Sequence, residues 1–491
     1  MSAKDDPPDM AELKKIESDK GVVQEVPHTI LTRREKHLMT ILLSGMGTAS
    51  SMSMPVYWVA LTEIERDFKI SEEQVNLTIV AYLVLQATAP VFLSTATDYI
   101  GRRPVILICL TGGIVVNVGL AVANAYWLII FLRCLLATSV SPLISICSSV
   151  VSDFTTRKDR GGFNGTVNGC LLVGQAFAPF LGSLVDTGWN WRAIFYFCAI
   201  IDGALLVVIA VCLPETHRSV VGNLSAPPVH WYHKSPALWY FGDRLCDTER
   251  KTVEPSKLTK YNPFLTISFL KYPEVSMILL PSSILFSTWT IAQATLSTYL
   301  SKTYGYSSLK IGLCFFAPGF STIAGAILSG KFMDFTYRLA RNKHMKSNSD
   351  EPFDIIRARL QYFAIPAVVG AMASVIYGWC FQNRESVAIL LVMISLITFT
   401  TMFPMSVVPT LFVDLFPQRS GSVASLNNLG RCGMATIFVA CLSKMISSMT
   451  LGGTYTLMTG LILLSNVCVY YLVTRSRHFM HNIQLREQAA K

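Results

Sequence analysis

The sequence predicts an all-α integral membrane protein with twelve transmembrane helices in two six-helix bundles. Apolar residues make up 52% of the 491 residues and charged residues only 15%, whereas soluble domains carry roughly 25% charged residues. Twelve apolar runs have the roughly 17–25 residues that cross a hydrocarbon core. A single long polar connection divides these runs into six and six, which is typical of a duplicated transporter with its binding site between the halves.

The predicted N-terminal bundle covers residues 38–213 and contains the runs Met39–Leu61, Val75–Thr95, Pro104–Ala123, Trp127–Val151, Asn164–Val185 and Ala193–Leu213. The predicted C-terminal bundle covers residues 273–474 and contains Val275–Tyr299, Ile311–Phe332, Tyr362–Trp379, Val387–Val408, Ser422–Ser443 and Thr454–Val473. Between them lies a central loop, residues 214–272. Residues 1–37 are polar and charged without a cleavable signal, and we expect them to form a disordered tail. Residues 475–491 form a second tail.

The net charge of +10 is explained by topology, so we expect no nucleic-acid partner. The two tails and the even-numbered connections hold 32 Lys and Arg residues, with Lys331 at the edge of the eighth run included, and the odd-numbered connections hold 7. Positive residues accumulate on the cytoplasmic side of membrane proteins. The distribution therefore predicts that both termini are cytoplasmic.

Catalytic and metal-binding patterns do not occur in the sequence. Eleven of the twelve cysteines lie singly in apolar runs, Cys246 lies outside them, and all eight histidines lie in loops or tails. Neither a zinc site nor a disulfide framework is indicated, and no nucleophile–base pair or phosphate-binding loop is present. We therefore expect a protein that is not an enzyme and holds no metal or cofactor.

The second and eighth connections share a weak internal repeat. Asp98, Gly101, Arg102 and Arg103 follow the second run, and Asp334 and Arg338 follow the eighth. A carboxylate and guanidinium groups on a short turn can form charge-assisted hydrogen bonds between helix ends. Such bonds would form a gating latch that breaks and re-forms as the bundles rock, although the arginines could instead only anchor the topology.

These residues resemble the signature loop of the major facilitator superfamily, with departures at Ser94, Ala96, Thr97 and Tyr99. Pro214-Glu215-Thr216 is similar to the motif that closes its sixth span. Asp414–Arg419 and Asn427–Cys432 resemble the eleventh-span region of fungal twelve-span drug:proton antiporters, in the quinidine/multidrug-resistance branch. The resemblance implies the two-bundle fold of that superfamily.

A stretch of the fifth run resembles the antiporter motif of that superfamily. Gly174, Pro179 and Gly182 match it, while Ala178 and Ser183 replace glycines. Small residues allow close helix approach and proline bends a helix, so this stretch could seal one face of the membrane while the other opens. The alternative is ordinary small-residue packing.

Three charged residues lie inside the predicted spans. Arg133 resembles an intramembrane arginine motif of the superfamily, and Arg431 lies midway along the eleventh run. A buried guanidinium should face a cavity or a partner, unless it reaches an interface. Asp202, midway along the sixth run, is a candidate proton carrier or a structural partner, and Asp98 is the second candidate carrier.

By analogy with the family, polar and aromatic residues on cavity-lining spans would contact the substrate. The candidates are Tyr82, Gln86, Asn168, Gln175, Trp289, Gln293, Asn427 and Asn428. Hydrogen bonding between helices is an equally good explanation for each of them.

These observations predict a proton-coupled antiporter that exports small amphipathic compounds such as drugs and toxicants by alternating access. Its partners would be membrane lipid, protons and a small-molecule substrate, and the proton gradient would drive it. An exporter of organic anions, such as carboxylates or amino-acid derivatives, is the alternative, because two arginines lie within the spans. A non-transporting sensor fits less well. We expect a monomer in the plasma membrane, with a vacuolar or spore membrane as the alternative.

Overall fold

The computed structural model describes residues 29–156, 159–224, 226, 230–236, 269–346, 353–416 and 420–480. The N-terminal half contains α1 (Arg33–Met52), α2 (Pro55–Trp58), α3 (Leu61–Phe68), α4 (Glu72–Ile100), α5 (Arg102–Ala121), α6 (Tyr126–Phe154), α7 (Arg160–Gly188), α8 (Trp191–Cys212) and α9 (Arg218–Val221). Short 3₁₀ turns follow at Trp231–His233 and Phe269–Lys271. The predicted tails, except for residues 29–37 and 475–480, and most of the predicted central loop lie outside the described residues.

The C-terminal half contains α10 (Pro273–Lys302), α11 (Ser308–Cys314), α12 (Phe316–Lys346), α13 (Ile355–Leu360), α14 (Ala364–Gln382), α15 (Val387–Leu415) and α16 (Ser420–Thr474). Every regular element among the described residues is therefore helical. By length and composition, 10 helices of the described chain can cross a membrane. Counting α16 as two spans and adding α1 recovers the twelve that the sequence predicts.

The first predicted span is broken into pieces. Helix α1 begins at a capping box, in which Thr32 Oγ1 accepts a hydrogen bond from the Glu35 amide and the Thr32 amide donates to Glu35 Oε2. It ends at Met52, and the chain bends before Pro55 begins α2. Helix α1 is rich in polar residues. Its hydroxyl groups are satisfied by hydrogen bonds to neighbouring helices, as Ser50 Oγ donates to the Val140 carbonyl at 2.7 Å.

The last two predicted spans are joined in α16. The break between them is at Thr450, whose φ of 66° is not helical. Gln382 at the end of α14 supports this break, because its Oε1 accepts hydrogen bonds from Thr450 Oγ1 at 2.8 Å and from the Gly452 amide at 3.0 Å.

Two groups of helix contacts form most of the interface between the halves. Helix α4 packs against α16 on one side, and α7 packs against α11 and α12 on the other. Helix α10 also contacts α2 and α3 of the other half, while the other long helices pack mainly within their own half, for example α5 on α8. This leaves a central region between α4, α7, α10 and α16. We call the end of the bundles that carries α3 the loop-1 end, and the end that carries the α4–α5 turn the loop-2 end.

Candidate functional site

Aromatic and ionic contacts close the loop-1 end between the halves. The Trp58 ring lies 5.9 Å from the Trp289 ring and 6.0 Å from the Phe315 ring, between centroids. Ser297 Oγ donates to the Trp58 carbonyl at 2.6 Å. Outside this layer, polar pairs join the halves: Lys302 to Glu65 and Glu72, both at 2.9 Å, Lys444 to Glu73 at 3.4 Å, and Asn76 to Ser443 at 3.0 Å.

The predicted antiporter motif packs against both halves. A Cβ atom at Gly174 would lie 2.8 Å from the Thr48 carbonyl oxygen, and one at Gly182 would lie 2.8 Å from a Val56 methyl group, so these glycines hold α7 against the first span. Ser183, at a glycine position of the motif, faces the other half instead. A Cβ atom at Gly312 of α11 would lie 1.8 Å from its hydroxyl oxygen. The role of the motif in export stays a prediction.

The loop-2 end lacks a comparable approach of these helices. Cβ atoms added at Gly162, Gly165 and Gly169 of α7, or at Gly330 of α12, would meet no atom within 4 Å. Asn168, a predicted cavity residue on the same stretch of α7, is exposed. Helices α7 and α12 therefore separate toward the loop-2 end, whereas α7 and α11 are in close contact at the loop-1 end.

Arg133 is fully buried on α6 between two tyrosine rings. Its guanidinium carbon lies 3.8 Å from the ring centroid of Tyr57 and 4.5 Å from that of Tyr82. Nη2 contacts Met54 Sδ at 3.7 Å, while Nε and Nη1 have no hydrogen-bond partner in the described chain. Electrostatic attraction to the ring faces thus replaces a carboxylate partner, and Arg133 does not reach an interface with water.

Asp202 is buried on α8 and faces α5. Its Oδ2 accepts a hydrogen bond from Asn117 Nδ2 at 3.1 Å, and a Cβ atom at Gly113 would lie 3.3 Å from the same oxygen. Cys198, one turn earlier on α8, lies near both Asp202 and Arg133. The Asp202 carboxylate therefore lies inside the N-terminal half, between α5 and α8, and not between the two halves.

Arg431 lies on α16 beside the opposite half. Its guanidinium carbon is 4.9 Å from the Phe286 ring centroid, and Nη2 donates to Asn428 Oδ1 at 3.3 Å. Asn428 Nδ2 in turn donates to the Gln86 carbonyl of α4 at 2.8 Å, across the two halves. Nη1 contacts Met405, Nε has no partner, and no carboxylate of the described residues lies within 4 Å.

Three of the predicted cavity residues have a buried polar atom without a hydrogen bond to any described residue. Trp289 Nε1, Gln293 Oε1 and Asn427 Oδ1 are buried without a partner in the described chain. Gln293 Nε2 donates to Thr398 Oγ1 at 3.3 Å. Gln175 and Gln86 are half-buried. Buried polar groups without partners are uncommon in native proteins, so the central region offers donors and acceptors to a polar ligand.

The turn at the loop-2 end forms a buried ionic cluster inside the N-terminal half. Gly101 has a φ of 104°, and a Cβ atom there would lie 2.5 Å from Glu215 Oε2, so only glycine fits. The Arg102 and Arg103 amides donate to the two Glu215 oxygens at 2.9 and 3.2 Å. Arg102 Nε also pairs with Asp153 at 3.2 Å. We call Arg102, Asp153, Glu215 and His233 the loop-2 cluster.

Other groups complete this cluster. The Arg103 guanidinium donates to the carbonyls of Ile209, Ala210 and Leu213 at the end of α8. His233 Nδ1 lies 2.9 Å from Glu215 Oε2. Burial acts to raise the pKa of Glu215, but the hydrogen bonds from His233 and from the backbone amides outweigh it, so the pKa stays below the ordinary value. The side chain of Asp98 lies outside the described residues.

The equivalent turn of the C-terminal half is arranged differently. Asp334 and Arg338 are exposed on α12, and no ion pair joins them in the described part of the chain. Instead, Arg359 Nη2 pairs with Asp414 at 2.8 Å, and the Arg359 guanidinium lies 4.3 Å from the Tyr337 ring centroid. Ion pairing at this end of the second half therefore involves α13 and α15.

Several site residues are not evident from the sequence. Tyr57, Asn117 and Gly312 acquire their roles only through contacts across the fold. His233 belongs to a chain segment rich in aromatic and basic residues, which is a signal for an interaction but not for its partner.

Comparison with known proteins agrees with these features. The sequence profile of the Major Facilitator Superfamily matches residues 41–440. "Multidrug transporter QDR2" of Candida glabrata is 33% identical over 97% of this chain and 86% of its own length. "MFS antiporter QDR1" of Candida albicans is 34% identical over 97% of this chain and 95% of its own.

A third relative, "Quinidine resistance protein 1" of Saccharomyces cerevisiae, is 32% identical over 92% of this chain and 85% of its own length. All three alignments cover more than nine-tenths of this chain and so run through both halves. The chain belongs to the Major Facilitator Superfamily, in the branch that holds the fungal multidrug transporters of the quinidine-resistance type.

Proposed function

We propose that the chain is a proton-coupled antiporter that exports small amphipathic organic compounds by alternating access. The observation that carries this proposal is the asymmetry of the interface between the halves, which is closed by Trp58, Trp289 and Phe315 at the loop-1 end and separated between α7 and α12 at the loop-2 end. The names of the relatives support the drug class of substrate and the antiport mechanism.

The central region suits amphipathic substrates. Aromatic and thioether groups surround a small number of unpaired polar atoms, as at Phe286, Trp289, Gln293 and Met405. Sites of this kind bind apolar bodies through dispersion and orient them by a few polar contacts. Methionine adapts its shape to different ligands, which favours a broad range of compounds.

We place both termini in the cytoplasm and the protein in the plasma membrane, as a monomer. The excess of basic residues at the loop-2 end supports this orientation. The loop-2 end would then face the cytoplasm, and the arrangement described above would be the one that receives substrate from inside. The electrical part of the proton gradient supplies about 2.3 kcal/mol per charge per 100 mV.

Export of organic anions is the second candidate function. Arg133 is buried and Arg431 is half-buried, and no carboxylate of the described chain pairs with either guanidinium group. An anionic group on the substrate could complete the coordination of Arg431, which lies next to the other half.

Inverted membrane vesicles test both candidates. An imposed pH gradient, acidic inside, should drive uptake of a cationic amphipathic fluorophore into vesicles that contain the protein, and a proton ionophore should abolish it. Uptake restricted to an anionic fluorophore of similar size would select the second candidate. Absence of gradient-dependent uptake of either compound would refute the proposal.

A further inference from the structure

Helix α12 extends beyond the hydrocarbon core at the loop-2 end. Its 31 residues, Phe316–Lys346, span about 46 Å at 1.5 Å per residue, whereas the hydrocarbon core of a bilayer is about 30 Å thick. The predicted apolar run ends at Phe332, and the helix continues for about four further turns. The end of α12 therefore passes through the headgroup layer into water.

One face of this extension combines exposed bases with exposed apolar side chains. Lys331, Phe335, Arg338, Leu339 and Lys346 are four, three, one and seven residues apart, which places them within about a third of the circumference of the helix. Phe335 is 64% exposed and Leu339 is 52% exposed, and the three bases are exposed as well. We call these five residues the basic face.

The basic face continues a side of α12 that is already exposed in the spanning part. Leu328 lies seven residues before Phe335, hence on the same side of the helix, and it is 50% exposed. Met333 and Thr336 point the other way and are buried in the bundle. Exposed apolar side chains of a membrane-spanning helix contact lipid chains, so the basic face leads from the acyl chains into the headgroups.

The bases of this face are not neutralised by acids of the described chain. None of them forms an ion pair with a described Asp or Glu. Residues 331–346 contain five Lys and Arg but only one acid, Asp334. Asp414, on neighbouring α15, is paired with Arg359 at 2.8 Å. The positive charge is therefore available to an anionic partner.

The partner is identified by the combination of charge and apolar surface. Bases at this end are expected from topology alone, but topology does not require them to share a face with exposed aromatic and aliphatic side chains. Near a membrane surface, each Lys or Arg strengthens the attraction to anionic lipid roughly fivefold. Apolar side chains on the same helix face enter the boundary between headgroups and acyl chains.

We propose that the basic face of α12 binds an anionic phospholipid. Its headgroup lies against Arg338 and Lys346, and its acyl chains lie against Phe335 and Leu339. Lys331, one turn deeper, extends its side chain toward the same headgroup. The bound lipid fixes the depth of α12, which is one of the two helices that separate at the loop-2 end.

Local fluorescence quenching tests the proposal. A fluorophore is attached at Asn342→Cys, an exposed position beside the basic face, in a background without native cysteines. The protein is placed in phosphatidylcholine nanodiscs that contain a small fraction of lipid with a nitroxide near the headgroup. We expect nitroxide-labelled phosphatidylserine to quench at a mole fraction about tenfold lower than nitroxide-labelled phosphatidylcholine does.

The double variant Arg338→Gln with Lys346→Gln should lose this preference. Arg33→Gln with Arg34→Gln is the matched control, because it removes the same charge from exposed positions at the same end of the other half, and it should keep the preference. Equal quenching by the two lipids in the parent, a preference that survives in the α12 variant, or its loss in the control would overturn the inference.

Thermal stability gives a second measurement on protein that keeps its native cysteines. The melting temperature of the parent should be higher in nanodiscs with phosphatidylserine than in pure phosphatidylcholine, and the α12 variant should lose more of this difference than the control. A difference of the same size in all three proteins would contradict the site. Because neither measurement requires transport, failure of the proposed antiport would leave this inference standing.

Discussion

Arg133 shows how a cation can be kept inside a membrane protein without an anion. Two tyrosine faces enclose the guanidinium at 3.8 and 4.5 Å, and each desolvated contact of this type contributes about 2 kcal/mol. The planar guanidinium stacks on aromatic faces more favourably than a compact ammonium group does. The side chain of Arg133 on α6 thereby joins this helix to α2 and α4.

Arg133→Lys should weaken this junction although it keeps the charge. Losing one of the two ring contacts costs about 2 kcal/mol, so we expect a lower melting temperature in detergent and strongly reduced efflux, with membrane insertion retained. Tyr57→Phe is the control, since it keeps the ring and loses only the 2.7 Å hydrogen bond to Thr78. Equal stability of the lysine variant and the parent would contradict the role of the rings.

Asp202 is the mid-span carboxylate that the sequence singles out, and its role as proton carrier remains a proposal. Asp202→Asn keeps a group that can accept the hydrogen bond from Asn117 but removes the proton. We expect substrate exchange to persist and dependence on the pH gradient to disappear. Asn117→Ala, which keeps the carboxyl group, should still respond to the gradient. Gradient-driven transport by the Asp202→Asn variant would exclude this residue as the carrier.

At the scale of elements, closure of the loop-1 end depends on how closely α7 approaches α11. Ser183 and Gly312 occupy one contact point, where a Cβ atom at Gly312 would lie 1.8 Å from the serine hydroxyl. One of the two residues must therefore be small. The serine in place of the usual motif glycine is tolerated because the glycine is supplied by the opposite helix.

Gly312→Ala should prevent full closure and reduce efflux, because its methyl group and the Ser183 hydroxyl cannot occupy the same space. The double variant Gly312→Ala with Ser183→Gly should restore efflux, since it exchanges the small residue between the helices. The measurement is the efflux rate of the parent, the single variant and the double variant at matched expression levels. An alanine variant with normal efflux, or a double variant no better than the single one, would show that this contact is not part of the seal.

In the loop-2 cluster, Glu215, which follows α8, accepts hydrogen bonds from the first amides of α5, and the Arg102–Asp153 pair joins α5 to α6. Because the pKa of Glu215 lies below the ordinary value of 4.5, ionised Glu215 stabilises the fold above that pH, and the contribution is lost as pH falls through the lower, folded-state value. At neutral pH Glu215 is therefore ionised. His233 ties the described part of the central loop to it.

Thermal stability measured against pH tests this element. The melting temperature of the parent protein should fall as the pH decreases below about 4.5, whereas Glu215→Gln should begin lower and change less. Asp334→Asn, at an exposed position on α12, should follow the parent curve. A Glu215→Gln variant with the same pH profile as the parent would place the stabilising charge elsewhere.

For the whole molecule, hydropathy predicted the architecture and the approximate limits of most spans. The reason is that a helix that crosses the lipid needs a continuous run of about 20 mainly apolar residues, which is visible in the sequence. It did not predict the break before Pro55 or the joining of two spans in α16, since both depend on local backbone contacts such as those of Gln382. Motif resemblance located Gly101, Arg102 and Glu215. It did not locate the ionic pairs of Lys302, because a single sequence carries no information about which helix ends meet across the halves.

Alternating access requires the two ends of the molecule to open in opposition. Ser297→Cys reports the loop-1 end, because Ser297 is buried against Trp58 of the other half. Asn168→Cys reports the loop-2 end, where the residue is exposed on α7. Both can be tested with a membrane-impermeant maleimide in right-side-out and inverted vesicles.

This sided labelling tests the central claim most directly. The account predicts that Ser297→Cys reacts only from outside and Asn168→Cys only from the cytoplasmic side, and that any substrate or pH gradient that raises one rate lowers the other. Reaction of both cysteines from the same side, or rates that rise and fall together, would contradict it.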